Sequence, residues 1–84
     1  MNAVAVYYLD GTKRSWTYKV PPGVGPIVVG SLVVVPVGPD CNPKLAIVAR
    51  LDATLANGIE YKWLINVIDS TAYFKAKNGA IDAV

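Results

Sequence analysis

The sequence predicts an all-β protein folded as a small antiparallel barrel of five or six strands. Two observations predict this class: short runs rich in β-branched and aromatic residues, and Gly, Pro, Asn and Asp turn signals that separate these runs at short spacing. The length of 84 residues suffices for one domain, and 54% apolar against 17% charged residues excludes intrinsic disorder. We therefore expect residues 1–84 to form a single β-barrel domain.

The first two strands are predicted to form a hairpin. The run 2–9 is β-prone, and Asp10-Gly11 is a dipeptide that suits a two-residue type I′ turn. Residues 12–20 then alternate along the chain, so that successive side chains point to opposite faces. With a two-residue turn, one face carries Tyr7, Arg14, Trp16 and Tyr18, and the other carries Val4, Val6 and Tyr8.

A stretch of twenty residues without a charge, Val20 to Pro39, could be mistaken for a membrane span. It contains five prolines and four glycines, a density that no membrane-spanning helix carries. The stretch predicts turns around one buried strand, Leu32–Val35. Two further strands are predicted at Lys44–Leu51 and Ile59–Ile68.

The C-terminal residues 70–84 leave two predictions open. Asp69-Ser70 could cap a short helix over Thr71–Lys77, which Asn78-Gly79 would end. Thr71–Ala76 could instead form a last strand, or residues 70–84 an extended tail.

Composition excludes most catalytic chemistry. The chain has no His, its single cysteine is Cys41, and its six acidic residues are scattered, mostly in predicted turns. We therefore expect no enzyme activity, no metal and no cofactor. The N-terminus lacks a signal peptide, so we expect a cytoplasmic protein, in the host cytoplasm if the gene belongs to a phage.

Aromatic residues next to basic ones are the remaining functional signal. Trp16 and Tyr18 lie near Arg14 and Lys19 in sequence, and Trp63 follows Lys62. Rings that stack on bases and cations that meet phosphates are typical of single-strand binders. The alternative is that the rings fill the core, because a small barrel needs large side chains. The net charge of +2 is no strong electrostatic footprint for nucleic acid.

Four segments in register resemble the N-terminal domain of PriA, the bacterial replication-restart helicase. Arg14–Gly23 (RSWTYKVPPG) is similar to the family pattern R-T-F-D-Y-x-L/V-P-x-G, and Gly30–Gly38 (GSLVVVPVG) is similar to G-x-x-V-x-V-P-F-G. Lys44–Leu51 resembles a short I-G-I-V strand. Tyr61–Asp69 (YKWLINVID) resembles the ending L-K-x-V-x-x-V/I-L/I-D.

The resemblance implies a non-enzymatic module that binds single-stranded or 3′-ended DNA through an aromatic and lysine pocket. Trp16 falls on the family aromatic that stacks on a terminal base, and Tyr18 on its tyrosine. Gly38 falls on the glycine that lets the backbone approach, and Lys62 on a lysine that meets a phosphate. Thr17 stands where the family carries an acid. Secondary phosphate contacts are expected from Lys13, Lys19, Lys44 and Arg50.

The resemblance also leaves an alternative, an oligomeric structural or protein-interaction module that keeps the barrel and has lost DNA binding. Leu32 and Val34 are apolar at positions where the family often carries arginine or polar residues facing outward. A strand that is apolar on both faces usually finds a partner, so an interface with a second copy or a replication protein is predicted there. A copy without the helicase body would suit a phage or mobile-element gene.

Overall fold

The computed structural model describes residues 2–68, and these form one five-stranded antiparallel sheet. The strand order across the sheet is β2-β1-β4-β3-β5. The all-β prediction is confirmed, since residues 2–68 contain no helix and hence none that could cross a membrane. The open question of helix or strand in 70–84 lies outside the described residues. The strands are β1 (Ala3–Tyr8), β2 (Trp16–Lys19), β3 (Leu32–Val37), β4 (Asn42–Leu51) and β5 (Asn66–Ile68).

The sheet is not a closed barrel, although one segment reaches from one edge toward the other. On the β2 side, the Leu64 amide donates a hydrogen bond of 2.9 Å to the Lys19 carbonyl, and the Lys19 amide donates one of 2.9 Å to the Lys62 carbonyl. On the β3 side, the Ile65 amide donates to the Val34 carbonyl, also at 2.9 Å. Residues 62–65, which we call the clasp, therefore stand where a continuous strand would close a barrel.

The register of the first hairpin differs by one residue from the predicted one. Val6 pairs with Trp16 and Val4 with Tyr18, so Trp16 and Tyr18 share the face of Val4, Val6 and Tyr8. The cause is the connection, which spans residues 9–15 instead of two residues. The Asp10 carboxylate accepts hydrogen bonds from the Thr12 amide (2.9 Å) and hydroxyl (2.6 Å), a local turn that competes with strand pairing. The predicted face of Tyr7, Arg14, Trp16 and Tyr18 is therefore wrong.

The core lies on the inner face of the sheet. Alternation along β3 buries Val33 and Val35 completely and leaves Leu32 and Val34 half-buried on the outer face. Tyr18 from the edge strand β2 and Leu64 from the clasp complete this core. The buried cluster consists of Val4, Val6, Tyr18, Ile27, Val33, Val35, Ala46, Val48 and Leu64.

Candidate nucleic-acid interface

A pair of stacked aromatic rings lies at one end of the core. The rings of Tyr8 and Trp16 have centroids 5.6 Å apart and planes inclined by 17°. The observed register brings them together, because Trp16 follows the face of Val6 and Tyr8 continues it two residues later. Trp16 is 36% exposed, so part of its ring is open to solvent.

Two cations lie over this stack. The Arg14 guanidinium is 4.6 Å from the centroid of the Trp16 ring, and the Lys44 ammonium is 4.9 Å from that of Tyr8. Lys44 also forms a 2.6 Å ion pair with Asp10 in the exposed β1–β2 connection. This ion pair and the Thr12 hydrogen bonds hold the pKa of Asp10 well below its usual range. Asp10 is therefore ionised at neutral pH and partly neutralises the cation that a phosphate would meet.

Tyr18 supports the stack from inside the core. Its hydroxyl donates to the Pro36 carbonyl at 3.0 Å, and the Tyr8 hydroxyl lies 2.7 Å from it, so Tyr8 donates to Tyr18. Burial raises the pKa of Tyr18 above its ordinary value, because it penalises the charged phenolate. Tyr18 is 5% exposed, and its hydroxyl positions Tyr8 instead of facing solvent.

Gly38 and Lys62 meet at the β3–β4 turn. Gly38 begins the turn with φ +78°, and its carbonyl accepts a 3.1 Å hydrogen bond from the Cys41 amide. The same carbonyl accepts a hydrogen bond from the Lys62 ammonium. Because Gly38 follows Pro36 by two residues, the hydrogen-bond chain from Tyr8 through Tyr18 ends beside this turn.

Some of the residues predicted for the site lie together around the aromatic stack, and the others lie on the opposite face of the sheet. Trp16, Tyr18 and Lys44 are linked through Tyr8, and Gly38 with Lys62 adjoins them at the end of β3. Thr17 and Lys19 alternate with Trp16 and Tyr18 along β2, so they project from the other face. Arg50 pairs with Ala5 on that outer side as well.

Tyr8 is the residue of this surface that sequence reasoning missed. The two-residue turn assigned it to the face opposite Trp16, although the two rings stack. The signal that could have found it is Asp10 followed by Thr12, a pair that favours a local side-chain turn over a tight hairpin.

An all-β domain that exposes an aromatic ring between cations has the attributes of an oligonucleotide-binding module. The model of the PriA 3′ DNA-binding domain (3′BD) family matches residues 3–80, so the chain belongs to this family of DNA-binding domains. No curated protein and no solved structure matches the chain.

Proposed function

We propose that the chain is a non-enzymatic module that binds single-stranded or 3′-ended DNA through the surface around Trp16. The observation that carries the proposal is the Tyr8–Trp16 stack with a cation over each ring, in a chain of the 3′ DNA-binding domain family. Base–aromatic stacking contributes roughly 1–3 kcal/mol per base in single-strand binders. The Tyr8 hydroxyl is hydrogen-bonded to the buried Tyr18, so the Tyr8 ring that supports Trp16 is held in place before a base binds.

We expect the cations around the stack to bind the phosphates of the DNA. Arg14 and Lys44 lie over the rings, and Lys62 is oriented by the Gly38 carbonyl at the neighbouring turn. Three neutralised phosphates give a slope of log K against log salt of roughly −2 for a single strand. Lys44 exchanges its Asp10 partner for a phosphate, which makes its contribution smaller than that of Arg14.

Selection of the free 3′ end is the finer part of the proposal. Thr17 stands where the family pattern has an acid, and it lies on the face of β2 opposite Trp16. The Tyr8 hydroxyl, on the ring stacked against Trp16, is a polar group that can still accept a hydrogen bond from a terminal sugar. We therefore expect a weaker preference for a 3′-hydroxyl than an acidic residue would give.

The deciding experiment uses Trp16 as the fluorophore. In the Trp63→Phe protein, oligonucleotides with a recessed free 3′ end and with a 3′-phosphate are titrated at low salt. Quenching at micromolar concentration supports DNA binding, and tighter binding of the free end supports end recognition. No change in emission and no change in anisotropy of labelled DNA with either oligonucleotide contradicts the function.

A charge-matched pair of variants localises the surface. Lys62→Gln and Arg50→Gln remove the same charge, but Arg50 lies on the outer side of the sheet. We expect Lys62→Gln to weaken binding and to reduce the magnitude of the salt slope by about 0.7, whereas Arg50→Gln leaves both nearly unchanged. Equal effects of the two variants would mean that DNA binds through net charge alone.

The second candidate function is self-association through the outer face of the sheet. A row of apolar side chains crosses four adjacent strands there, since Tyr7 pairs with Ile47, Ile47 with Leu32, and Leu32 with Ile68. Tyr7 is 44% exposed and Ile47 and Ile68 are each 38% exposed. Val34 and its partner Leu45 extend the row. Contiguous apolar surface of this kind is typical of an interaction site.

Analytical ultracentrifugation tests self-association. The double variant Leu32→Lys/Val34→Lys is compared with the parent and with Val29→Lys, which changes an exposed valine in the turn before β3. We expect the parent and Val29→Lys to form an oligomer and the double variant to be monomeric. A monomeric mass for all three proteins rules out a second copy as the partner.

A further inference from the structure

A cleft of about 780 Å³ lies beside Trp63, away from the stack of Tyr8 and Trp16. It is lined by the connection 20–27 after β2 and by Asn2, Lys19, Leu55 and Trp63. Its volume falls within the range of small-molecule sites, roughly 300–1,000 Å³. The cleft is therefore large enough for a nucleotide.

Trp63 is held in this cleft with its ring open. Trp63 is 51% exposed, and the ammonium of Lys19 lies over one face of its ring, 4.3 Å from the centroid, so a base would stack on the other face. The Lys19 amide donates to the Lys62 carbonyl and the Leu64 amide donates to the Lys19 carbonyl, and these two hydrogen bonds fix Trp63 in register with β2. A large exposed ring that the backbone orders in advance offers a stacking platform at low entropic cost.

The lining of the cleft is apolar with one positive charge. Among the described residues that line it, Lys19 is the one charged side chain, and no carboxylate competes with an incoming anion. Pro21, Pro22 and Pro26 stiffen the connection that lines the cleft, because proline fixes φ. An aromatic platform, an apolar wall and a single cation complement one nucleobase with its phosphate.

We propose that this cleft binds a second nucleotide of the bound DNA strand, farther along the strand than a dinucleotide at Trp16 reaches, with the base stacked on the face of Trp63 away from Lys19 and its phosphate at Lys19. The inference rests on the proposed function and extends it from one terminal nucleotide to a longer strand. Lys62 and Trp63 are consecutive residues of the clasp, so a strand that meets Lys62 passes close to the cleft. Lys19, which lies on the face of β2 opposite Trp16, then contacts a phosphate of this second nucleotide.

Length dependence tests the inference. In the Trp16→Phe protein, which keeps a stacking ring at the first position, Trp63 is the remaining tryptophan. Labelled oligothymidylates of two and eight nucleotides are titrated, and anisotropy and Trp63 emission are recorded together. We expect the octamer to quench Trp63 and the dinucleotide to leave it unchanged.

Two variants of the parent protein measure the contribution of the cleft. We expect Trp63→Leu to weaken octamer binding roughly tenfold, the loss of one stacked base, and to leave the dinucleotide unaffected. Lys19→Gln should reduce the magnitude of the salt slope for the octamer by about 0.7. Circular dichroism verifies that both variants are folded, and Lys19→Gln tests the cleft if Trp63→Leu is not.

The outcomes separate this inference from the proposed function. If anisotropy reports octamer binding while Trp63 emission and both variants are unaffected, the second position is wrong and the first remains. If no oligonucleotide changes the anisotropy, the proposed function fails and this inference fails with it.

Discussion

Tyr18 is the residue that couples the core to the candidate DNA surface. Its ring is buried, and its hydroxyl joins Tyr8 to the Pro36 carbonyl. We expect Tyr18→Phe to lower the free energy of unfolding by about 1–3 kcal/mol, because a buried carbonyl loses its donor. Urea unfolding measures the change, with Tyr7→Phe on the outer face as the control. Equal losses in the two variants would contradict the role of the Tyr18 hydroxyl.

Tyr18 also predicts how stability depends on alkaline pH. Its pKa is raised by burial, so the folded protein keeps the phenol protonated after the unfolded chain, with a pKa of about 10, has ionised. The contribution of Tyr18 to the free energy of unfolding is complete below the unfolded-state pKa of about 10. Above that pH it declines by about 1.4 kcal/mol per pH unit, until the pH reaches the folded-state pKa. The gap in unfolding free energy between the parent and Tyr18→Phe should therefore narrow from about pH 9 to about pH 11. A gap that stays constant over this range would be evidence against a raised pKa.

Among the elements, the β3–β4 turn positions Lys62 through one glycine. Gly38 has φ +78°, and a Cβ there would meet no atom within 4 Å, so substitution strains the backbone without a steric clash. We expect Gly38→Ala to cost about 1 kcal/mol of unfolding free energy, and Gly38→Asn to cost less because asparagine tolerates the left-handed region. Chemical denaturation compares the two variants. A larger cost for asparagine than for alanine would show that space, and not φ, limits the site.

The sequence predicted the existence of the strands better than their bounds and their register. Leu32–Val37 and Asn42–Leu51 extend the predicted runs by two residues each, since Pro36 and Pro43 are accommodated opposite each other. The predicted strand Ile59–Ile68 is reduced to Asn66–Ile68, because residues 62–65 bond alternately to β2 and β3. Periodicity records which side chains are apolar, whereas it carries no information about which backbone each residue pairs with.

The site was predictable to a smaller extent. Trp16 and Lys44 stand out in the sequence as an aromatic and a cation. Nothing in the sequence indicates that both contact Tyr8 and so lie on the same surface. The approach of Lys62 to Gly38 joins positions 24 residues apart and followed from the resemblance to a family. Local pattern in a single sequence has no signal for such a contact, which depends on the order of strands in the sheet.

At the scale of the whole molecule, we expect the four-residue clasp to contribute to stability mainly through the buried side chain of Leu64. Leu64 is 2% exposed and packs in the core, while the adjacent Ile65 is 50% exposed. We expect Leu64→Ala to lower the unfolding free energy by about 2–5 kcal/mol, against a total of roughly 4–12 kcal/mol for a chain of this length. Ile65→Ala is the matched control and should cost far less. Thermal denaturation of both variants measures the difference, and similar melting temperatures would show that the clasp is not part of the core.

Three consecutive positions of the clasp thus carry different tasks: Lys62 meets the turn, Trp63 borders the cleft and Leu64 fills the interior. An oligonucleotide that binds Lys62 and Trp63 therefore also holds Leu64 in the core. Binding of the oligonucleotide and thermal stability are then thermodynamically linked. The melting temperature of the protein should rise with the logarithm of the free oligonucleotide concentration once the sites are saturated.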